Sequence, residues 1–165
     1  MTYFPIMSAC NSGPLVELVD ATENPLFVMA VAWETMLGDP RKIIETGEYG
    51  NYIEDILAAK HKTVFEYVHL SMKISGVQRQ YLSLMASCRA GFSVVVKAVP
   101  DNNYNSLGVT HVGEIGCTFR ALFDWMNAGY MGGSADHENV KALIIDVVSK
   151  YNEDLGGVLM EVGNG

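Results

Sequence analysis

The chain has 165 residues, and its 11 Lys and Arg against 19 Asp and Glu give a formal charge of −8. Hydrophobic residues make up 49% of the chain and charged residues 18%, which excludes a disordered protein and predicts a single folded domain over residues 1–165. The acidic balance and the absence of a basic run exclude general electrostatic binding to nucleic acids or anionic membranes.

The first half of the chain predicts a strand, two helices and a further strand. Leu15–Ala21 alternates imperfectly, as a short strand or an extended lead-in does. Asn24-Pro25 is typical of a helix start, and Leu26–Leu37 is apolar on nearly every side, so this helix should be buried or shared with a partner subunit. Tyr49–Ala59 has helical spacing, and Tyr67–Ser75 alternates as a strand with one dry face.

The second half predicts three more helices around one apolar strand. A helix follows Gly76 over Val77–Met85, Phe92–Val99 is β-branched enough for a strand, and Pro100–Gly108 is rich in turn residues. Thr118–Ala128 and the region around Val140–Tyr151 complete the pattern, the latter with Ser134 or Asp136 as its cap. With no repeat or linker, the predicted fold class is α/β (α+β), a central sheet with long packed helices.

Cysteine usage and hydropathy favour a soluble cytoplasmic protein. Cys10, Cys88 and Cys117 are widely spaced and form no CxxC, which is typical of thiols in a reducing compartment. No window has the length of apolar sequence that a membrane span needs, and the N-terminus has no secretory signature. His111 and His137 lack metal-ligand spacing, so we predict no metal site.

The segment His61–Tyr67, read as HKTVFEY, leads into the alternating strand and is followed by Gly76–Arg79, read as GVQR. It resembles the core of the flavin-dependent thymidylate synthases (the ThyX family), in which His-x-Ser/Thr-x-x-Glu-His enters a strand and Gly-Val-Ser-Arg opens a helix. Leu15–Gly38 resembles the opening strand and helix of that family. Thr118–Trp125 resembles its Asn-x-Arg-x-Leu-x-x-Phe helix, and Ala135–Glu138 stands where the family has Ala-Gln-x-Glu.

The resemblance implies a ThyX-like fold that assembles as a homotetramer with FAD between subunits. Such an enzyme transfers a methylene group from methylenetetrahydrofolate to C5 of dUMP, a pyrimidine nucleotide, and reduces it with a flavin hydride that NADPH supplies. It needs no enzymic nucleophile, so the resemblance names no catalytic residue. By position it assigns five residues to the cofactor: His61, Thr63, Glu66, Arg79 and Arg120.

The departures from the family pattern fall at the substrate site. The family carries Arg-His-Arg, then a serine, then Ser-x-Arg-Tyr, whereas the segment 87–98 keeps only Arg89 of the triplet and replaces the later cluster with apolar residues. Arg89, Ser93 and Lys97 remain as the expected substrate-binding residues. Because bidentate arginines hold a phosphate dianion better than a lysine does, these replacements argue against ordinary dUMP turnover.

Each singled-out residue also has a plain structural interpretation. His61 could cap a helix, Glu66 could be a surface carboxylate, Arg79 could pair with a nearby acid, and the Arg120 stem could cover apolar surface. Three hypotheses therefore stand. The chain is a divergent ThyX-type enzyme, a non-catalytic descendant with a structural or protein-interaction role, or a module that binds flavin or folate without turnover.

Overall fold

The computed structural model describes residues 3–10, 13–49, 52–59, 62–87, 92–100, 109–127 and 135–163, and places five strands and eight helices among them. The strands are β1 (Ile6–Ala9), β2 (Leu15–Ala21), β3 (His69–Ser75), β4 (Phe92–Pro100) and β5 (Val109–Thr118). The helices are α1 (Pro25–Leu37), α2 (Arg41–Thr46), α3 (Tyr52–Ala59), α4 (Lys62–Phe65), α5 (Arg79–Ser87), α6 (Phe119–Asn127), α7 (Ala135–Tyr151) and α8 (Glu153–Gly163).

The strands form one antiparallel sheet in the order β1-β2-β3-β5-β4. The register between β2 and β3 shifts once, between Leu18 and Asp20, where β2 carries a bulge. Although β5 is the last strand in the sequence, it lies between β3 and β4. The two edges of the described sheet are therefore β1 and β4. This mixed helix-and-sheet architecture agrees with the predicted α+β class.

One face of the sheet is buried under helices and the other is open. In β3, Leu70, Met72 and Ile74 are buried, whereas the residues that alternate with them are exposed. The strand predicted over Tyr67–Ser75 is thus confirmed, with one dry face. Helix α7 packs against β1 and β2, α5 against β4, and α6 against β5. Burial of each large side chain in this layer contributes about 1.5–3 kcal/mol to folding.

The first long helix begins and ends where its sequence predicts. Pro25 occupies the first helical turn, where a missing N–H costs nothing. At the other end, Gly38 adopts a left-handed conformation with φ of 119° and donates its N–H to the carbonyl oxygen of Glu34 over 2.8 Å. Asn24 stands at the N-cap position, but its side chain makes no capping hydrogen bond. Leu37 is exposed, so α1 buries one side within the subunit rather than all of its surface.

Five elements were not predicted: β1, α2, α4, β5 and α8. The omission of β5 matters most, because this strand pairs on both sides. Gly113 and Gly116 interrupt its alternation, and glycine is unfavourable in most strands. At position 113 a Cβ would lie 2.7 Å from a Leu82 methyl group, so a larger residue there would require the Leu82 side chain to shift.

The remaining boundaries shift by a few residues. The helix predicted over Tyr49–Ala59 is described from Tyr52, and Thr118 ends β5 instead of starting α6. The last predicted helix is α7, which is followed at once by α8 because the Asn152 side chain accepts a hydrogen bond from the Leu155 N–H over 3.1 Å. Residues 101–108, within the predicted turn-rich stretch, and Ser134 lie outside the described part of the chain.

Candidate functional site

The most polar of the predicted regions lies where α4 meets α6. Three aromatic side chains hold these helices together: the Phe65 ring packs edge-on against Phe119, with centroids 4.9 Å apart, and against Phe123 at 5.6 Å. The Phe119 N–H also donates to the Val68 carbonyl oxygen over 2.7 Å, and the Thr118 hydroxyl accepts from the Ala121 N–H as a helix cap. The polar side chains above this layer therefore stand on a rigid support.

Four charged residues form what we call the α4–α6 corner: Lys62, Glu66, Arg120 and Asp124. Arg120 Nη1 lies 2.9 Å from Glu66 Oε1, and Lys62 Nζ lies 3.2 Å from Asp124 Oδ1. Arg120 Nε is 3.9 Å from Asp124 Oδ2, which places Asp124 between the two cations. Lys62 also stands 5.4 Å from the centre of the Phe123 ring. The corner is a chain of alternating charges, two negative and two positive, that runs from Glu66 through Arg120 and Asp124 to Lys62.

The corner brings together two residues that the resemblance assigns separately. Glu66 and Arg120 are in direct contact, an arrangement compatible with a shared site and equally with the plain interpretations of a surface carboxylate and an arginine stem over apolar surface. Thr63 lies exposed on α4, one residue after Lys62. Arg79 begins α5 and is exposed, and within the described residues it forms no ion pair with an acid. His61 lies outside the described residues.

The polar groups of the corner are suited to the flavin ring and hydroxyls of FAD, but not to its diphosphate. Carboxylate, hydroxyl and guanidinium groups suit the hydroxyls and ring edges of a flavin. The diphosphate is a dianion, however, and the positive charge of Arg120 is already offset by Glu66 and Asp124. The described residues of one subunit therefore do not supply a diphosphate site at this corner.

The expected substrate residues stand elsewhere, on the open face of β4. Ser93 and Lys97 are both exposed there, and Lys97 Nζ lies 3.1 Å from Glu114 Oε1 on β5. Ser93 lines a shallow groove of about 320 Å³, which runs over Gly116 and is bordered by Lys73 and Glu114. None of Thr63, Glu66, Arg79 and Arg120 lines this groove, and Arg89 lies outside the described residues. The cofactor and substrate residues thus do not share a cavity within the described part of one subunit.

A buried polar cluster, which the sequence reasoning missed, joins α5, α6 and α7. The Tyr81 hydroxyl lies 3.1 Å from His137 Nδ1, and the Trp125 and His137 rings meet at 88° with centroids 5.2 Å apart. Trp125 is 1% exposed, and its indole N–H has no hydrogen-bond partner among the residues that the structure describes. Burial, and then the charge of Lys141, lower the pKa of His137, which favours the neutral ring.

A signal for this cluster was present in the sequence. His137 stands three residues before Val140, on the stripe that continues through Ile144 and Val147, so the helical period places it on the buried face of α7. A similar signal existed for Asp124, which follows Arg120 by four residues on one helix. In both helices the sequence shows the helical spacing, and that spacing places the polar residue, His137 or Asp124, on the same face as the residues it contacts.

A cavity of about 530 Å³ has none of the predicted site residues among its described lining. It lies beside the start of α1, with Phe27, Tyr49 and Tyr151 among its lining side chains. The Tyr151 hydroxyl donates a hydrogen bond to the Thr22 carbonyl oxygen, and burial raises the pKa of this phenol. Tyr151 is therefore a structural donor at the junction of α7 and β2, not an acid near neutral pH.

Two further findings concern metals and membranes. Among residues 3–163 as far as they are described, no three His, Cys, Asp or Glu side chains converge as a metal site requires. Over the same described ranges, every helix is too short or too polar to cross a bilayer.

Comparison of the sequence with protein-family models finds no match, and comparison with curated proteins finds none either.

Proposed function

We propose that this chain is a divergent flavin-dependent thymidylate synthase-like protein that binds FAD at the α4–α6 corner. The observation that carries the proposal is the 2.9 Å contact between Arg120 and Glu66. The two residues lie 54 positions apart, in the two segments that separately resemble the ThyX family. A shared site is one reason for two such segments to meet.

The arrangement beneath the corner supports a binding surface. Phe65, Phe119 and Phe123 are buried directly under the charged side chains, and Asp124 has a side chain only 11% exposed. A planar ring system placed against Thr63 and Glu66 would meet hydroxyl and carboxylate groups at its polar edge. In this proposal Arg120 orients Glu66 toward the flavin. The positive charge of Arg120 is neutralised by Glu66 and Asp124.

The diphosphate of FAD then needs cations from beyond the corner. Arg79 is one, because it is exposed at the first turn of α5. His61, Arg89 and residues of a second subunit are the other candidates. A site completed between subunits matches the homo-oligomer, a tetramer, that the resemblance implies. The proposed activity is transfer of a one-carbon unit from methylenetetrahydrofolate to C5 of a pyrimidine nucleotide such as dUMP, with NADPH as reductant.

The absorbance spectrum of the purified protein tests this proposal. Titration with FAD should give a bound-flavin spectrum that bleaches on anaerobic addition of NADPH, and gel filtration should keep the flavin with the protein. A protein that stays colourless after incubation with excess FAD, while its circular dichroism spectrum shows it to be folded, contradicts the proposal.

A second candidate function is favoured by Lys97 and its surroundings. This residue is the only cation within the segment 92–100, and it pairs with Glu114 instead of standing free for a phosphate. Next to it, Val95 is 52% exposed, so the position of the lost arginine cluster presents apolar surface. These features suit a non-catalytic descendant with a structural or protein-interaction role. Release of tritium from [5-³H]dUMP, dependent on folate and the protein, would exclude that alternative.

A further inference from the structure

The free edge of β4 is the longest unpaired strand edge that the structure describes. β4 has nine residues and pairs only with β5, whereas the opposite edge strand, β1, has four residues. A strand at the edge of a sheet presents a row of N–H and C=O groups that can pair with another strand. A short edge such as β1 offers few of these groups, and β4 offers a full row.

β4 carries two of the devices that protect an edge strand, a lysine and a proline, but both stand in its second half, and the segment Phe92–Val96 carries neither. Its register with β5 runs without a shift from Phe92 to Pro100, so no bulge turns the strand away. Its one charged residue, Lys97, reaches 3.1 Å across to Glu114 on β5, toward the interior of the sheet. The middle of the strand is the apolar run Val94–Val96. Exposed edges of this kind favour strand pairing between molecules.

The proline at the end of β4 fixes which backbone groups face the free edge. Pro100 has no N–H and is paired with Val109 on β5, and a proline fits an edge strand where its nitrogen points away from the neighbouring strand. Since the direction of the N–H alternates along a strand, the N–H groups of Val94, Val96 and Ala98 point to the same free edge.

We propose that β4 pairs antiparallel with β4 of a second copy of this chain, across a twofold axis at Val95. The open faces of the two sheets then lie on the same side, and the two five-stranded sheets join into one sheet of ten strands. Val94 pairs with Val96 of the other copy through their free N–H and C=O groups. Phe92 faces Ala98, Val95 faces Val95, and Lys97 faces Ser93.

The position of Lys97 disfavours a register whose axis lies at that residue. Antiparallel partners lie on the same face of a sheet, so the twofold axis must pass through one residue rather than between two. An axis at Lys97 would place two lysines opposite each other, which is unfavourable. With the axis at Val95, the two Lys97 side chains stand about 14 Å apart along the strands, four residues at about 3.4 Å each. Every other pair in this register is apolar or neutral.

This interface is independent of the proposed flavin function, because no residue of the α4–α6 corner lies on β4. Its test is therefore made without added flavin. Light scattering coupled to gel filtration should give the wild-type chain a mass of at least twice 18.1 kDa. Val95→Glu and Val95→Lys each place like charges opposite each other at the axis, and each should weaken association at least about tenfold. An equimolar mixture of the two variants should restore the larger mass, since opposite charges then meet.

Val19→Glu is the matched control. Val19 lies on β2 on the open face and is 39% exposed, so it reports on packing between faces instead of pairing between edges. We expect this variant to keep the wild-type mass. Because Val95 is already half-exposed, both of its variants should fold, which circular dichroism checks. A monomeric wild type, an unchanged mass in the Val95 variants, or loss of association in Val19→Glu alone would overturn the proposal.

Discussion

Arg120 donates a hydrogen bond from Nη1 to Oε1 of Glu66 over 2.9 Å, and joins the start of α6 to the residue that follows α4. The Arg120 side chain is 35% exposed and that of Glu66 is 50% exposed. Ion pairs this accessible to water contribute less than about 1 kcal/mol to folding. The contact between Arg120 and Glu66 therefore contributes little to the stability of the fold. Because of this, a variant of either residue can be tested for a loss of binding without a large loss of stability.

Substituting Arg120 should separate binding from stability. In Arg120→Gln, we expect the free energy of unfolding to fall by less than about 1 kcal/mol, because Asp124 keeps its contact with Lys62. If Arg120 orients Glu66 toward a flavin, the affinity for FAD should fall about tenfold or more, since a hydrogen bond to a charged group contributes about 1.5–3 kcal/mol. Urea denaturation measures the first quantity and flavin titration the second.

Arg41→Gln provides the control for this comparison. Arg41 pairs with Asp39 over 3.0 Å on the protein surface, far from the predicted site residues in sequence. The substitution Arg41→Gln removes a guanidinium charge, as Arg120→Gln does. It should leave FAD affinity unchanged. Equal flavin affinity in the two variants would show that Arg120 has no part in flavin binding.

A second prediction concerns the close approach of two turns. Gly76 follows β3 with φ of 74°, and a Cβ at this position would overlap the carbonyl oxygen of Gly13. Gly76→Ala should therefore destabilise the protein by about 3 kcal/mol or more, from backbone strain together with displacement of the Gly13 segment. Equilibrium unfolding in urea measures the loss.

Gly47→Ala separates the two contributions. Gly47 has φ of 72°, but an added Cβ there would meet nothing within 4 Å. Its cost should be that of the left-handed backbone alone, about 1 kcal/mol. If both variants lose the same stability, then the approach of Gly13 and Gly76 contributes nothing.

The contrast between β3 and β5 explains how much of the fold the sequence predicts. The alternation of Leu70, Met72 and Ile74 with polar residues identifies β3 because one face is buried and the other is wet. β5 is equally central, yet Gly113 packs closely against the Leu82 side chain of a helix distant in sequence. A local pattern cannot encode that contact. β5 can therefore be identified only from the folded structure, in which it pairs with β3 and β4.

The sequence also predicts only part of the candidate site: it identifies individual residues but not the contacts between them. Glu66 and Arg120 could be singled out from sequence, because they stand in two motifs that resemble one family. Their contact could not be, since it depends on how α4 and α6 pack through Phe65 and Phe119. The neutralisation of Arg120 by Asp124 also belongs to the folded state, although their spacing of four residues made it predictable.

A third prediction follows from the burial of His137. Burial, and then the charge of Lys141, lower its pKa below the ordinary 6.5, against a smaller opposing effect of Glu138. As the pH falls through about 6.5, the unfolded chain gains a proton before the folded protein does. The free energy of unfolding should therefore decrease with falling pH, from about 6.5 down to the lowered pKa of His137. Urea denaturation at a series of pH values between about 5 and 7.5 measures this slope.

His137→Gln should flatten the pH dependence, because glutamine does not titrate and can still hydrogen-bond to the Tyr81 hydroxyl. His69→Gln is the control, since His69 lies exposed on β3 away from the buried cluster. It should retain the wild-type slope. A slope that survives in His137→Gln would assign the pH dependence to other groups.

The last prediction uses a buried thiol to report on opening of the layer between the sheet and its helices. Burial raises the pKa of Cys117, on β5, to about 12, so at pH 8 only about one thiol in ten thousand is the reactive thiolate. With Cys10→Ser and Cys88→Ser in place, Cys117 is the only thiol left and should react with a disulfide reagent slowly in buffer and fully in urea. A variant that retains Cys10 alone is the control, because this residue is partly exposed and should label in the native protein. Rapid, complete labelling of Cys117 in buffer would mean that the helices over this face of the sheet open far more readily than the burial of Cys117 implies.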